Sequence, residues 1–247
     1  MIEFRNVSKS YVKGGRLALD HLSLQVGAGE LFGFIGPNGA GKTTSIKILT
    51  GILTPTEGEC LVRGVSMQEQ PMEAKRLIGF VPDGAELYDR LTGLEYLNFM
   101  ADMYDVDARQ RRQHIEKYLA LFELEEAAGS QIRTYSKGMR QKLATIGALI
   151  HEPPVWVLDE PMMGLDPRSA YLLKEEMKRH CAAGNTVFFS THVLEVAEKL
   201  CTRIAVIAEG HLAAQGTMEE LRSQEHAASL EEIFLELTWG EEGTEQA

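Results

Sequence analysis

No run of about 18 apolar residues occurs in this sequence, so the chain is not expected to cross a bilayer itself. Any membrane role must then come through a partner. The first residues, Met1-Ile2-Glu3-Phe4-Arg5, lack a basic stretch followed by an apolar one, and no secretory leader is expected. Cysteine is scarce. Cys60, Cys181 and Cys201 are odd in number and none stands at metal-ligand spacing, so they are expected as reduced, buried small hydrophobes. Positive charge is in deficit too: 25 Lys and Arg against 36 Asp and Glu leave a formal net charge of -11. That balance lacks the basic stripe that nucleic acid requires, and no nucleic-acid partner is expected. It does not exclude a nucleoside triphosphate, because a phosphate site is built locally from backbone N–H groups and one or two cations.

What is present is ordinary for a globular α/β protein: 247 residues, 44% hydrophobic and 25% charged. Short apolar or alternating runs predict strands at 2–7, 19–26, 31–35, 60–62, 78–81, 155–158, 186–189 and 203–207. Helical patterns separate the last three, as a parallel sheet with crossover helices requires. Between 85 and 150 no good strand is visible. Leu94, Leu97, Ala101 and Tyr104 recur at helical spacing, as do Ile115, Leu119 and Phe122, which predicts a helical subdomain inserted into an α/β core. The boundaries expected are a domain over 1–220, with its core at 1–84 and 151–220 and the helical part at 85–150, then a helical tail over 221–247. In that tail Ser229-Leu230-Glu231-Glu232 reads as a capping box ahead of the stripe Leu230, Ile233, Phe234 and Leu237. The last eight residues are acidic and expected to fray.

The strongest chemical signal is Gly36-Pro37-Asn38-Gly39-Ala40-Gly41-Lys42-Thr43-Thr44. It fits G-x-x-x-x-G-K-[ST], follows an apolar run and opens a helical segment ending near Leu49. Glycines let the backbone approach phosphates, and successive N–H groups at a helix start bind anionic oxygens. Lys42 would neutralise the β/γ-phosphates and the Thr43 hydroxyl would ligate Mg²⁺. A glycine-rich turn with a surface lysine is the bland alternative, and the strand before and helix after count against it. The second signal is Pro154-Val155-Trp156-Val157-Leu158-Asp159-Glu160-Pro161, four apolar residues and then two carboxylates at the ligand-binding end of a strand. Asp159 is placed to hold Mg²⁺ and Glu160 to act as general base on an attacking water. Two carboxylates solvating a loop would read the same, but not beside a P-loop.

Three further segments narrow the class: Tyr135-Ser136-Lys137-Gly138-Met139-Arg140-Gln141, Gly164-Leu165-Asp166 and Ser190-Thr191-His192. In this order, from about residue 1 to 217, the chain resembles the ABC ATPase family. Its wording at 135–141, 87–92 and 230–237 is similar to the ABC-2 type branch that drives export. The resemblance implies an α/β P-loop NTPase core of mostly parallel sheet, with an N-terminal antiparallel β portion and an inserted α-helical subdomain. It implies ATP and Mg²⁺ as cofactors and ATP hydrolysis as the activity, with Glu160, His192 and Lys42 as the catalytic groups. Tyr11 falls where an aromatic residue stacks on adenine, although a strand-end aromatic packed on the core would look alike. Ser136 and Gly138 match positions that contact the γ-phosphate held by an opposite subunit, and Asp166 matches a loop that communicates across that dimer. Two partners follow: a second ATPase subunit, and a separate membrane permease that would hold this chain peripherally on the cytoplasmic face of the cell membrane. A soluble ABC ATPase of the iron–sulfur assembly type would share every ATP motif and differ only in its partner.

Two departures stand out. Lys137 and Met139 replace a glycine and the glutamine of the usual LSGGQ wording. Asp83, after Phe80-Val81-Pro82, takes the place of the glutamine in the Q-loop. A carboxylate there attracts Mg²⁺, is repelled by phosphate and cannot donate a hydrogen bond, so Asp83 joins Thr43 and Asp159 as a candidate metal group. Finally, Glu86-Leu87-Tyr88-Asp89-Arg90-Leu91 is expected as the permease contact, with exposed Leu87 and Tyr88 as anchors and Asp89 and Arg90 setting register. The alternative is that Leu87 and Leu91 pack the helical subdomain.

Overall fold

Strand β3 (Leu31–Ile35) is buried at all five positions, and its alternating side chains divide the interior. Phe32 and Phe34 point to one face with Phe188, while Leu31 points to the other. The computed structural model, which describes residues 1–84, 86–225 and 229–239, places β3 in a six-stranded sheet. Its order is β10 (His211–Gly216), β9 (Arg203–Ala208), β3, β8 (Thr186–Thr191), β7 (Val155–Asp159) and β6 (Ile78–Val81). Every neighbouring pair runs parallel except β10 with β9. Continuous burial of β3, β7 and β8 is what parallel strands covered on both faces require.

One face is covered by helix α1 (Lys42–Leu49) and by a four-stranded antiparallel sheet, ordered β2 (Leu17–Val26), β1 (Ile2–Ser10), β4 (Glu57–Val62) and β5 (Val65–Ser66). On that side Phe32, Phe34, Val155, Val157 and Phe188 meet Ile2, Phe4, Leu22 and Leu24, and the Phe32 and Phe188 rings stack at 5.6 Å. The opposite face, with Trp156, Leu158, Val187 and Phe189, is closed by α6 (Pro167–Ala182) and by a helical layer of α3 (Gly93–Met103), α4 (Ala108–Phe122) and α5 (Lys137–Leu149). Gly79 in β6 lets α5 lie directly on the sheet: a Cβ there would sit 2.2 Å from the Ala148 carbonyl oxygen. Beyond β9, α7 (Leu194–Leu200), α8 (Met218–Glu225) and α9 (Leu230–Trp239) close the far edge around Ile35, Ile204, Val206, Leu230 and Ile233. Between α1 and β6 a short α2 (Pro71–Arg76) completes the helices described.

Helix starts follow their caps. Thr92 and Glu95 form a reciprocal capping box on α3, Asp107 caps α4, Ser136 caps α5 and Asp166 caps α6. The Glu232 N–H donates to Ser229 Oγ at 3.2 Å, as expected from the sequence, and Phe234 and Leu237 pack inward behind it. Residues 240–247, expected to fray, lie outside the described residues. Strand β10 was not expected, since His-Leu-Ala-Ala-Gln-Gly is poor in β-branched residues. Its signal is the Glu209-Gly210 turn, where both residues take positive φ as a tight hairpin demands. Strands β1 and β4 also run three residues further than expected, to Ser10 and from Glu57. Cys60 and Cys181 are buried and Cys201 is half-buried, its thiol packed over Gly33, and all three are free.

Two imidazoles, that of half-buried His151 and that of buried His180, carry a consequence for stability. His151, between α5 and β7, stacks on Tyr104 with ring centroids 3.6 Å apart, and His180 on α6 lies edge-on to Trp156. Burial lowers each to about 4 from an ordinary 6.5. The unfolded chain therefore binds more protons between pH 6.5 and 4, so stability is full above 6.5 and is lost as pH falls through that window. Each histidine should remove about 2 kcal/mol by pH 5. Urea midpoints measured from pH 7.5 to 5 should fall, and His151→Phe should flatten roughly half of that slope.

Candidate functional site

The P-loop connects β3 to α1, and its shape is set by backbone crowding. A Cβ on Gly36 would lie 2.3 Å from the Ile207 carbonyl oxygen, and Gly41, at φ +111°, would bring one within 2.8 Å of Ala18 O. Only glycine fits either place. The loop is clamped from outside by the β9–β10 turn: Gly210 N–H donates to Ala40 O, and Gly210 O accepts from Asp20 N–H, both at 3.0 Å. Gly41 leaves the start of α1 without a side-chain cap, so its first N–H groups are available to an anion. Lys42 is buried, and its ammonium donates to Gly36 O at 2.6 Å and to Pro37 O at 3.1 Å. Burial lowers its pKa against the opposing pull of Glu160 and Asp159.

Consecutive residues of a strand point to opposite faces, yet Asp159 and Glu160 line the same cavity. The reason is that Glu160 sits at φ +47°, which turns the chain at the end of β7. Ser190 of β8 holds that turn. Its hydroxyl donates to Asp159 Oδ1 at 2.6 Å and accepts from Glu160 N–H at 3.0 Å. Ser190 belongs to a segment legible in the sequence, but its bridging role was not read there, because only the fold brings β7 and β8 side by side. Burial raises the Asp159 pKa, the Ser190 bond pulls it back, and the charges of Glu160 and Asp83 add to the rise. His192 Nδ1 lies 3.0 Å from Glu160 Oε2.

The resulting cavity, about 250 Å³, is lined by Asn38, Gly39, Gly41, Lys42, Thr43 and Thr44 of the P-loop region together with Ala18, Asp83, Asp159 and Glu160. Asp83 therefore lines the same cavity as the P-loop residues and Asp159. Tyr11 stands after β1, largely exposed, with its hydroxyl 3.1 Å from Thr44 Oγ1, so its ring overhangs the helix start instead of packing in the core. A second cavity of about 340 Å³, lined by Arg16, Ala18, Asn38 and Glu209 among others, adjoins the first.

Ser136 and Gly138 do not line this cavity. Ser136 Oγ accepts from Met139 N–H at 3.2 Å, and Gly138 backs onto the 164–166 loop, where a Cβ would lie 3.0 Å from Gly164 O. Asp166 accepts from the N–H groups of Arg168 and Ser169, a plain helix start. The expectation for 86–91 needs correction. Leu87 is not an exposed anchor; it packs with Leu91 against the helical core, because the apolar layer under α3 and α5 takes both. Tyr88 is 60% exposed and meets Phe99 edge-on at 5.6 Å. Asp89 is not free to set an intermolecular register, since its carboxylate pairs with Arg140 at 2.7 Å.

With this geometry in hand, comparison with known proteins is specific. Residues 19–163 match the family described as ABC transporter. An uncharacterized ABC transporter ATP-binding protein of Nostoc sp. is 41% identical over 207 residues, 83% of this chain, and the chain spans 61% of that relative's length. The Nod factor export ATP-binding protein I of Cupriavidus metallidurans is 35% identical over 95% of this chain and 77% of its own. Among solved structures, an ATP-binding subunit of an ABC transporter superposes with a TM-score of 0.92 at 33% identity, over 96% of this chain and 99% of that one. A dimeric ATP-binding cassette in a post-hydrolysis state with ADP and Pi gives 0.80 at 27% identity, over 88% and 99%. The α/β P-loop NTPase fold with its antiparallel portion is the one these structures share. The chain belongs to the ABC transporter family.

Proposed function

We propose that this chain is the ATP-hydrolysing motor subunit of a membrane exporter, working as a pair of ATPase subunits on a separate permease. The observation that carries the reading is the single cavity in which the P-loop, Lys42, Asp83, Asp159 and Glu160 meet, with His192 on Glu160. The cradle fits a polyphosphate: Gly36 and Gly41 stand where any Cβ would collide, and the N–H groups at the start of α1 are uncapped by a side chain. The donor set suits Mg²⁺, since Thr43, Asp159 and Asp83 offer only oxygen. When bound, that ion would neutralise charge on the phosphates.

Lys42 and the N–H groups at the start of α1 bind phosphate oxygens, and Tyr11 offers a ring to the adenine. Glu160 accepts the proton of the attacking water, while His192 holds its carboxylate in place. Ser136 and Gly138 lie outside this cavity, which supports a composite site completed by the signature segment of a second subunit. Each chain carries one P-loop and one signature, so two subunits make two sites. The dimeric cassette among the similar structures favours the same arrangement. The name of the Nod factor export relative favours export, and the relatives above carry transporter names, not that of an iron–sulfur assembly subunit. Among the described residues no helix is long and apolar enough to cross a membrane. Attachment to the cytoplasmic face would run through a permease seated on Tyr88 and Phe99.

Glu160→Gln keeps the shape of the site but removes the proton acceptor. It should retain ATP binding, lower kcat by roughly 10²–10⁴-fold and accumulate the ATP-bound dimer on a sizing column. A variant that hydrolyses ATP normally would remove Glu160 from this role. Asp83→Gln should reduce the sensitivity of steady-state ATPase to Mg²⁺ concentration, read by titration at fixed ATP, and an identical titration curve would place Asp83 beyond the metal's influence. Tyr88→Ala with Arg90→Glu should leave melting temperature and ATP binding intact while abolishing co-purification of the permease from solubilised membranes. Retained co-purification would move the docking surface elsewhere.

A further inference from the structure

The segment that carries Tyr88 is tied directly to the helix that carries the signature. Asp89 makes the ion pair with Arg140, which stands on the first turn of α5 and whose own N–H donates to Ser136 O at 3.0 Å. The backbone is laced alongside. Arg133 N–H donates to Asp89 O at 3.2 Å, Ile132 N–H to Leu91 O at 2.9 Å and Gly93 N–H to Ser130 O at 3.2 Å, with an isolated bridge between Thr92 and Gln131. Residues 89–93 thus run beside 130–133, and two residues beyond lies Tyr135, then Ser136. The backbone lacing fixes distance but stops before the helix. The Asp89–Arg140 pair is an ionic side-chain contact that reaches α5 itself.

We propose that Asp89 and Arg140 form a positioning pair that sets the orientation of the first turn of α5, and so of Ser136 and Gly138, from the partner-facing segment. This rests on the composite-site reading above. Neither Arg140 nor Asp89 lines the chain's own phosphate cavity, so the pair acts through Ser136. A displacement of Tyr88 by a docked partner is carried by Asp89 to Arg140 and delivered as a shift of the signature toward or away from the second subunit's phosphates. The geometry suits the task. A guanidinium keeps its charge at every working pH, and the pair closes through one Nη1–Oδ1 contact of 2.7 Å. The Asp89 side chain is 59% exposed and that of Arg140 27%, so the pair contributes little to fold stability and can be removed without unfolding the chain.

The test uses the full chain carrying Glu160→Gln, so that ATP-driven pairing accumulates. Two readouts are taken for each variant: affinity for a fluorescent ATP analogue at a concentration where the chain is monomeric, and the dimer dissociation constant with MgATP. Asp89→Asn and Arg140→Gln should each leave monomer affinity and melting temperature unchanged and weaken pairing by about five- to twentyfold. Each dimer holds two pairs, and each exposed pair is worth up to roughly fivefold. The exchange Asp89→Arg with Arg140→Asp should recover most of the loss, a result that a merely structural role does not give. Arg140→Lys should fall between, keeping the charge without the guanidinium's shape. Unchanged pairing in Asp89→Asn, or a loss in Arg140→Gln that the exchange does not recover, overturns the proposal. Ser136→Ala separates the two levels. If it leaves pairing intact the composite site is at fault, whereas if it abolishes pairing while the Asp89 and Arg140 variants do nothing, only the positioning pair is wrong.

Discussion

Three carboxylates, Asp83, Asp159 and Glu160, share one cavity with a single ammonium, that of Lys42. A site of that sign repels a polyanion unless the backbone supplies the missing positive potential. This is why the chain is so constrained where β3 meets α1. The N–H groups at the helix start must face the ligand, and the backbones of Ile207 and Ala18 crowd the loop so closely that only glycine fits at 36 and 41. The β9–β10 turn then fixes the loop through Ala40. The antiparallel sheet is held to the same turn through Asp20, so the phosphate cradle and the sheet that presents Tyr11 are joined at one point.

The acidic half of the site depends on a different device. Asp159 is buried and raised in pKa mainly for that reason, and a single hydroxyl, that of Ser190, both satisfies it and pins the turn that aims Glu160. Two adjacent strands must be in register for this to occur, with Asp159 opposite Ser190. The hydrophobic alternation that splits β3, β7 and β8 between the two faces is therefore more than packing, because it sets the register on which the chemistry relies.

Local patterns made the central elements legible. The P-loop, the apolar runs of β3 and β7, and the helical spacing of α3 and α4 are encoded by neighbours in the chain, and they lie where the sequence implied. Edge strand β10 was missed because an edge exposes alternate positions and needs no β-branched residues. For Leu87 the sequence left two readings open, an exposed anchor or packing on the helical subdomain, because a six-residue segment has no period to decide between them. The pairing of Asp89 with Arg140 spans residues that only the folded helical layer brings together, and Ser190 acquires its role by the same kind of long-range juxtaposition. For Asp89 and Ser190 the deciding neighbour is distant in sequence.

Gly79 brings the helical layer into direct backbone contact with the sheet. With no side chain between β6 and the carbonyl of Ala148, the rear of α5 rests directly on bare backbone. The front of the same helix, at Ser136, lies about 18 Å away at 1.5 Å per residue. A rigid rod pivoting at its rear converts angle into travel, and a tilt of roughly 5° sweeps the front by about 1.6 Å, the difference between a hydrogen bond and none. In any such tilt the close contact at residue 79 would be the fulcrum, and the length of α5 the lever arm.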